Sequence, residues 1–411
     1  MILSRIKELP PRALWICFCM FLVSIGAFLV IPIFAVFLNQ KLHLSAGEIG
    51  WILSAKLVCA WGGVFLGGLV TDKLGPRWTM MLAFFSRTLA YLMIVFANSF
   101  WMAFFGSALI GLGVALFSPA SKTALIHLVG RGRSVVALSI RETATNLGAA
   151  LGPLLGIASM SQNLEIFFFI GAALFFLLAL ATPWLVPETH SQMPKDDHPK
   201  VNSNFLHRSL WKEYRGILSP TMWVFTVLFF LFSAYYAQVE LTMPLYAAHL
   251  FKARGPFLLF TANAVVVSIL QVPLSTRLSV ISTQGVLISS LMAVGLGFFF
   301  FGISNQIPLF LFGVVLFSIG ETLFGPRLEA EASALVSAKS VGKTLGFLGI
   351  GSGIGAAFGS VIGGHIFQNL LEKNEAKTFW IYGGLGMLPV AFISLLIWRA
   401  MDSNQSRERE I

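Results

Sequence analysis

Long apolar stretches of roughly twenty residues, repeated along the chain with short polar connections between them, leave few folds open. Twelve lie near residues 14–38, 49–70, 78–97, 101–121, 134–159, 164–186, 220–247, 257–275, 284–303, 307–327, 341–367 and 378–398. A bilayer core about 30 Å thick is crossed by about 20 helical residues rising 1.5 Å each. The stretches therefore predict an all-α membrane protein with twelve transmembrane helices. Composition agrees: 56% of residues are hydrophobic and 11% charged, against roughly 25% charged in soluble domains. The third, fourth, ninth and tenth spans are defined by length alone. Charges or glycines interrupt the fifth, seventh and eleventh.

The formal charge of +10 would suit a nucleic-acid partner, but the bias of Lys and Arg toward cytoplasmic loops accounts for it better. With a cytoplasmic N-terminus, that side carries Arg5, Lys7, Arg12, Lys73, Arg77, Arg131, Arg133, Arg208, Lys212, Arg277 and Arg399. The other side has Lys41, Lys252, Arg254, Lys373 and Lys377. Both termini are expected in the cytoplasm, which needs an even number of spans and places the chain in a cell (inner) membrane. The expected surroundings are lipid and a small-molecule substrate, with no nucleic acid, and the protein is expected to act as a monomer. Cys17, Cys19 and Cys59 fall inside apolar spans without a metal-ligand or disulfide pattern. The first apolar stretch is too long for a signal-peptide core and has no small-residue cleavage site, so it is expected to stay as a helix.

Between Pro187 and Pro220 the chain is rich in Pro, His, Lys, Asp, Asn and Ser. Such a segment cannot bury a core and reads as a cytoplasmic linker. The expected organisation is a six-helix bundle over 1–186, a linker over 187–219, a second six-helix bundle over 220–398 and a cytoplasmic tail over 399–411. The halves are related by duplication: residues 111–156 align without a gap to 318–363 at a constant offset of 207, with twelve of 46 positions identical. The identities pair Gly113 with Gly320, Leu116-Phe117 with Leu323-Phe324, Pro119 with Pro326, and Gly148-Ala149-Ala150 with Gly355-Ala356-Ala357. Equivalent spans lie six apart, so the repeat is parallel.

After the second span the chain reads Gly68-Leu69-Val70-Thr71-Asp72-Lys73-Leu74-Gly75-Pro76-Arg77. A carboxylate there can meet the positive end of a helix, and Gly75 permits a tight turn. This segment resembles the signature loop of the major facilitator superfamily. The resemblance implies the major facilitator fold, two six-helix bundles related by a parallel repeat, and a cytoplasmic gating loop built on Gly68, Asp72, Lys73, Gly75 and Arg77. The equivalent loop around Ser275-Thr276-Arg277 keeps almost none of the pattern.

Span five carries Gly148-Ala149-Ala150-Leu151-Gly152-Pro153-Leu154-Leu155-Gly156. It is similar to the fifth-helix motif associated with exporters of that superfamily, although Ser139 and Ile157 replace its first and last glycines. Small residues four apart form a ridge on which helices pack closely in lipid, and Pro153 removes a backbone donor. Span eleven repeats the ridge with Gly346, Gly355, Gly359, Gly363 and Gly364, with Ser360 in place of the proline. Span four lacks the Arg, and span one lacks the acid, that drug–proton antiporters of the family commonly use.

A charge at bilayer depth costs at least about 2.5–3.5 kcal/mol on insertion scales and needs a partner, water or a function. Lys56 lies about 24 Å along a helix from Asp72, toward the outer half of span two, and Glu240 sits at comparable depth in span seven. They are expected to pair as an outer gate or a structural salt bridge, or Glu240 to carry a proton. Glu321 in span ten joins Glu240 as a candidate ion site, since the resembled fold lines its cavity with spans one, four, seven and ten. Arg141 and Glu142 are adjacent on span five, about 100° apart, so they are not expected both to face the cavity squarely; both are candidate substrate or ion residues, with Arg141 expected as the cavity charge and snorkelling to the near interface as its alternative. Arg87, in the middle of span three, is expected to be buried among helices rather than to meet substrate.

The leading expectation is alternating-access transport of a small organic solute, with proton-coupled efflux of a drug or metabolite first. No cofactor, metal or catalytic residue is expected, because there is no Lys-Ser/Thr phosphate loop and no His-Glu-x-x-His motif. An anionic polycarboxylate such as a siderophore is the alternative substrate, suggested by Lys56, Arg87 and Arg141. A non-transporting receptor or assembly factor and an integral membrane enzyme complete the alternatives.

Overall fold

The structure, a computed structural model, describes residues 9–130, 133–159, 163–186, 219–252, 254–277, 282–336 and 341–409. Among them there are helices and turns but no strand. The α-helices are α1 Pro11–Leu42, α2 Ala46–Gly62, α3 Val64–Val95, α4 Phe100–Val129, α5 Ser134–Ser159, α6 Glu165–Leu185, α7 Pro220–Tyr236, α8 Thr242–Phe251, α9 Arg254–Arg277, α10 Thr283–Ile303, α11 Ile307–Ala334, α12 Val341–Glu372 and α13 Ala376–Arg409.

These elements reproduce the twelve expected spans once their interruptions are read. Span two runs through α2 and the first part of α3. Within α3 the backbone leaves the helix at Gly75 (φ 79°, ψ 158°) and Pro76 opens span three; only glycine takes that φ without strain. Span seven is α7, a 3₁₀ turn over Ala237–Val239, and α8. Among the described residues, eight helices are long and apolar enough to cross a membrane by length and composition. The last helix continues past the expected end of its span to Arg409. The linker expected over 187–219 lies outside the described residues except for Ser219.

Local chemistry sets the ends. Ser45 caps α2, its Oγ accepting from the Glu48 N–H at 3.2 Å while the Glu48 carboxylate accepts from the Ser45 N–H at 2.8 Å; this capping box satisfies two of the orphan donors at the helix start. Ser99 and Ser282 cap α4 and α10 in the simpler way. Gly130, at φ 73°, ends α4.

The chain divides into two compact units. The larger draws on Met1–His190, Tyr235–Ser268 and Ala356–Ala376, the smaller on Ser191–Ala234, Ile269–Gly355 and Lys377–Ile411. In the larger, Tyr91 stands edge-on to Phe168 and Phe175. Glycines bring its helices together: a Cβ on Gly148 would strike the Phe21 carbonyl and Ser24, and one on Gly152 would lie 2.9 Å from Phe28. In the smaller, Phe298 and Phe301 both meet Trp380 edge-on, and Phe232 stacks on Phe324 at 4.1 Å.

The repeat is visible in this packing. Gly113 of α4 faces the Ala83 carbonyl and the Arg87 side chain of α3, and Gly320 of α11 faces the Ser290 carbonyl and the Val294 side chain of α10. All three pairs of positions differ by the same 207 residues. Likewise Gly148 packs on α1, and Gly355 packs on Phe230 of α7.

Candidate substrate cavity

The larger unit holds a partly open cavity of about 310 Å³, at the lower end of the range for small-molecule sites. Its walls are Ala27, Val30, Ile31 and Phe34 of α1, Leu53, Lys56, Leu57, Ala60 and Trp61 of α2, Val64, Arg87 and Tyr91 of α3, Ile110, Val114 and Ser118 of α4, and Glu240. Residues three and four apart along each helix present one face to it. The lining is apolar and aromatic with a few polar groups, among them two cations, Lys56 and Arg87, and one carboxylate, Glu240.

Lys56 and Glu240 form an ion pair there, Nζ donating to Oε2. Small residues hold Lys56 in place from both sides. Gly111 of α4 lies so close to the Lys56 carbonyl that no side chain fits between them. On another face of α2, Gly50 meets the backbone of Ser360, and Ser54 Oγ donates to the Ala357 carbonyl at 2.7 Å. Part of the span-eleven ridge thus clamps α2.

Glu240 sits where span seven unwinds. Its N–H reaches the Ala237 carbonyl at 3.3 Å, in 3₁₀ fashion, and Leu241 has φ −111° and ψ −79°. The anchor is Gln238, only 4% exposed. Its Nε2 donates to the Gly359 carbonyl at 2.8 Å, and its Oε1 accepts from Thr242 at 3.1 Å. Any side chain at position 363 would collide with that amide. Broken helices that line a cavity are tolerated at membrane depth because other groups satisfy the freed backbone.

Arg87 is buried, as expected, but it also lines the cavity. Its guanidinium lies 5.0 Å over the Phe175 ring, a cation–π contact. Its Nε and Nη1 have no hydrogen-bond partner. Gly113 makes room for the stem, since a Cβ there would come within 2.6 Å of Arg87 Cγ.

Arg141 and Glu142 are brought together rather than kept apart. The guanidinium of Arg141, 3% exposed, donates from Nη1 to Glu142 Oε1 and from Nη2 to Ser121 Oγ at 3.2 Å. The angle between neighbouring helical residues separates their Cβ atoms, not the end of a long Arg chain. Neither residue lines this cavity. Glu321 is half-buried in the middle of α11.

The signature loop keeps the turn expected of it. Asp72 and Lys73 are exposed, Gly75 bends the chain, Thr79 Oγ1 donates to the Gly75 carbonyl at 2.8 Å, and Arg77 lies 5.5 Å over Trp78. The ridge residue Gly156 abuts the Phe257 ring, and Pro153 is buried within α5. In span eleven, Gly355, Gly363 and Gly364 make close contacts, whereas Gly346 faces open space. Cys17 and Cys19 are buried and Cys59 half-buried, all as free thiols.

The model of the Major Facilitator Superfamily matches residues 16–281. The chain belongs to that superfamily, and it is a multi-pass membrane transporter with a small-molecule substrate. Among its relatives are a Bacillus subtilis protein named as an uncharacterized MFS-type transporter, YqjV, 24% identical over 391 residues and 92% of each chain, and the Salmonella paratyphi B multidrug resistance protein MdtH, 24% identical over 91% of this chain and 90% of that one. The solved nucleoside transporter NupG superposes with a TM-score of 0.80 at 14% identity, covering 95% and 99% of the two chains. An auto-inhibited POT-family peptide transporter superposes with 0.76 at 16% identity, covering 95% and 97%. These likenesses establish the major facilitator fold.

Proposed function

We propose that this protein is a secondary active exporter of small amphipathic organic solutes, driven by a proton gradient through Glu240. The observation that carries this reading is the Lys56–Glu240 ion pair on the wall of an apolar cavity. The pair joins span two of one sequence repeat to span seven of the other. Protonation of Glu240 removes the carboxylate charge and releases Lys56, so proton binding loosens the contact between the two spans. A switch of this kind needs two conformations that the ion pair tells apart; in this reading the pair forms in one of them and is broken in the other.

Efflux as the direction follows from the likeness of the span-five glycines to an exporter motif and from the multidrug resistance name of one relative. Both termini are taken as cytoplasmic from the charge distribution, with Asp72 and Arg77 as the cytoplasmic latch and Glu321 as a second ion site. The two six-helix halves are taken as the moving parts of a monomer, with an ion gradient in place of any cofactor.

The test is transport by the purified full chain in proteoliposomes, using neutral, cationic and anionic dansyl-labelled amphipaths with and without an imposed pH gradient. Gradient-dependent accumulation of at least one probe, lost in Glu240→Gln, is the expected result. Accumulation indifferent to the gradient, or equal in Glu240→Gln, overturns the proposal.

A further inference from the structure

The unexplained group in the cavity is Arg87. Lys56 has its counter-ion in Glu240, while Nε and Nη1 of Arg87 have no acceptor. Among the titratable groups on the cavity wall, Lys56, Arg87, Tyr91 and Glu240, the one carboxylate is already engaged. With that pair formed, the cavity carries one uncompensated positive charge.

Packing does not explain it. The duplicated position is Val294, fully buried against Gly320 as Arg87 is against Gly113. An apolar residue closes the same gap in the other repeat, so this helix contact has no need of a guanidinium. A buried cation that has the Phe175 ring beside it but no acceptor on Nε or Nη1 points to a function. The planar fork of Arg suits carboxylate geometry. The rest of the cavity lining includes Phe34, Trp61, Tyr91 and aliphatic side chains.

We infer that Arg87 binds the single anionic group, a carboxylate or a group of like geometry, of a solute whose remaining body is apolar. The inference rests on the reading of this cavity as the transport site. It narrows the substrate class to monoanionic amphipaths. A polycarboxylate fits poorly, because Lys56 is neutralised by Glu240 and Arg141 is turned to Glu142 outside the cavity wall.

Equilibrium binding to the full chain in nanodiscs tests this without transport. The probes are dansylaminoundecanoic acid and its methyl ester, read by energy transfer from tryptophan. The acid should bind the wild type about tenfold or more tightly than the ester, as one charge-assisted contact implies. Arg87→Gln should erase that preference with ester binding unchanged, and Arg87→Lys should restore part of it. Equal binding of acid and ester by the wild type, equal loss of both in Arg87→Gln, or no binding of the acid overturns the inference. The wild-type comparison decides even where a variant does not fold. A preference for the acid that depends on Arg87, without gradient-driven accumulation of any amphipath, upholds the binding site and removes the exporter reading. Gradient-driven accumulation without that preference does the reverse.

Discussion

The contact of α3 with α4 and that of α10 with α11 are copies of one another, and the copies carry charge at different points. In the first, Gly113 accommodates Arg87, and the neighbouring residue is Val114. In the second, Gly320 accommodates Val294, and the neighbour is Glu321. The close-packed frame is common to both because a glycine at the contact lets the two backbones approach closely. The cation and the acid are particular to one copy each. Duplication therefore separates what holds the helices together from what was placed on them, and it makes Arg87 a poor candidate for structural necessity.

A cation with a carboxylate counter-ion should behave differently from one without, and this gives the largest expected effect. Lys56→Met leaves Glu240 unpaired, and should cost about 2–3 kcal/mol, less than the 3–5 of a fully buried pair because both groups keep some contact with the cavity. Lys56→Met combined with Glu240→Gln should recover most of that loss. Apparent thermal midpoints in nanodiscs measure both, and an unrescued double variant would show that the pair is not the source of the cost.

The glycines come next. At Gly320 an added methyl meets a backbone carbonyl at 2.5 Å, whereas at Gly113 the first obstacle is the movable stem of Arg87. Gly320→Ala should lose about 1–2 kcal/mol by overpacking and Gly113→Ala less. The reverse order in the same midpoint assay would mean that the two contacts are not equivalent frames.

The smallest shift is expected where the comparison is sharpest. Arg87→Val, which copies the second repeat into the first, should leave the midpoint unchanged or raise it by up to about 1 kcal/mol equivalent, since a buried cation is exchanged for an apolar side chain. A clear drop in midpoint would return Arg87 to a packing role.

Much of this architecture was legible in the chain. The apolar runs located every span, and Gly75-Pro76 marked the turn between the second and third. Counting residues from Asp72 put Lys56 level with Glu240 and so made their pairing one of the open readings. What stayed hidden depends on neighbours rather than on spacing. The break at Ala237–Val239 follows from Gln238 being seated on Gly359 and Gly363, more than a hundred residues away. Arg87 was legible in depth but not in direction around its helix. The signal that could have found it was the repeat itself, which, extended back from Gly111, sets Arg87 against Val294.

The central claim is that Glu240 couples the cavity to protons. It is tested most directly by comparing exchange with accumulation in one set of proteoliposomes. Glu240→Gln should still exchange labelled for unlabelled dansylaminoundecanoic acid at equal pH, because a carboxamide mimics the protonated acid, but it should not concentrate the probe when a pH gradient is imposed. Accumulation by Glu240→Gln equal to that of the wild type would contradict the account.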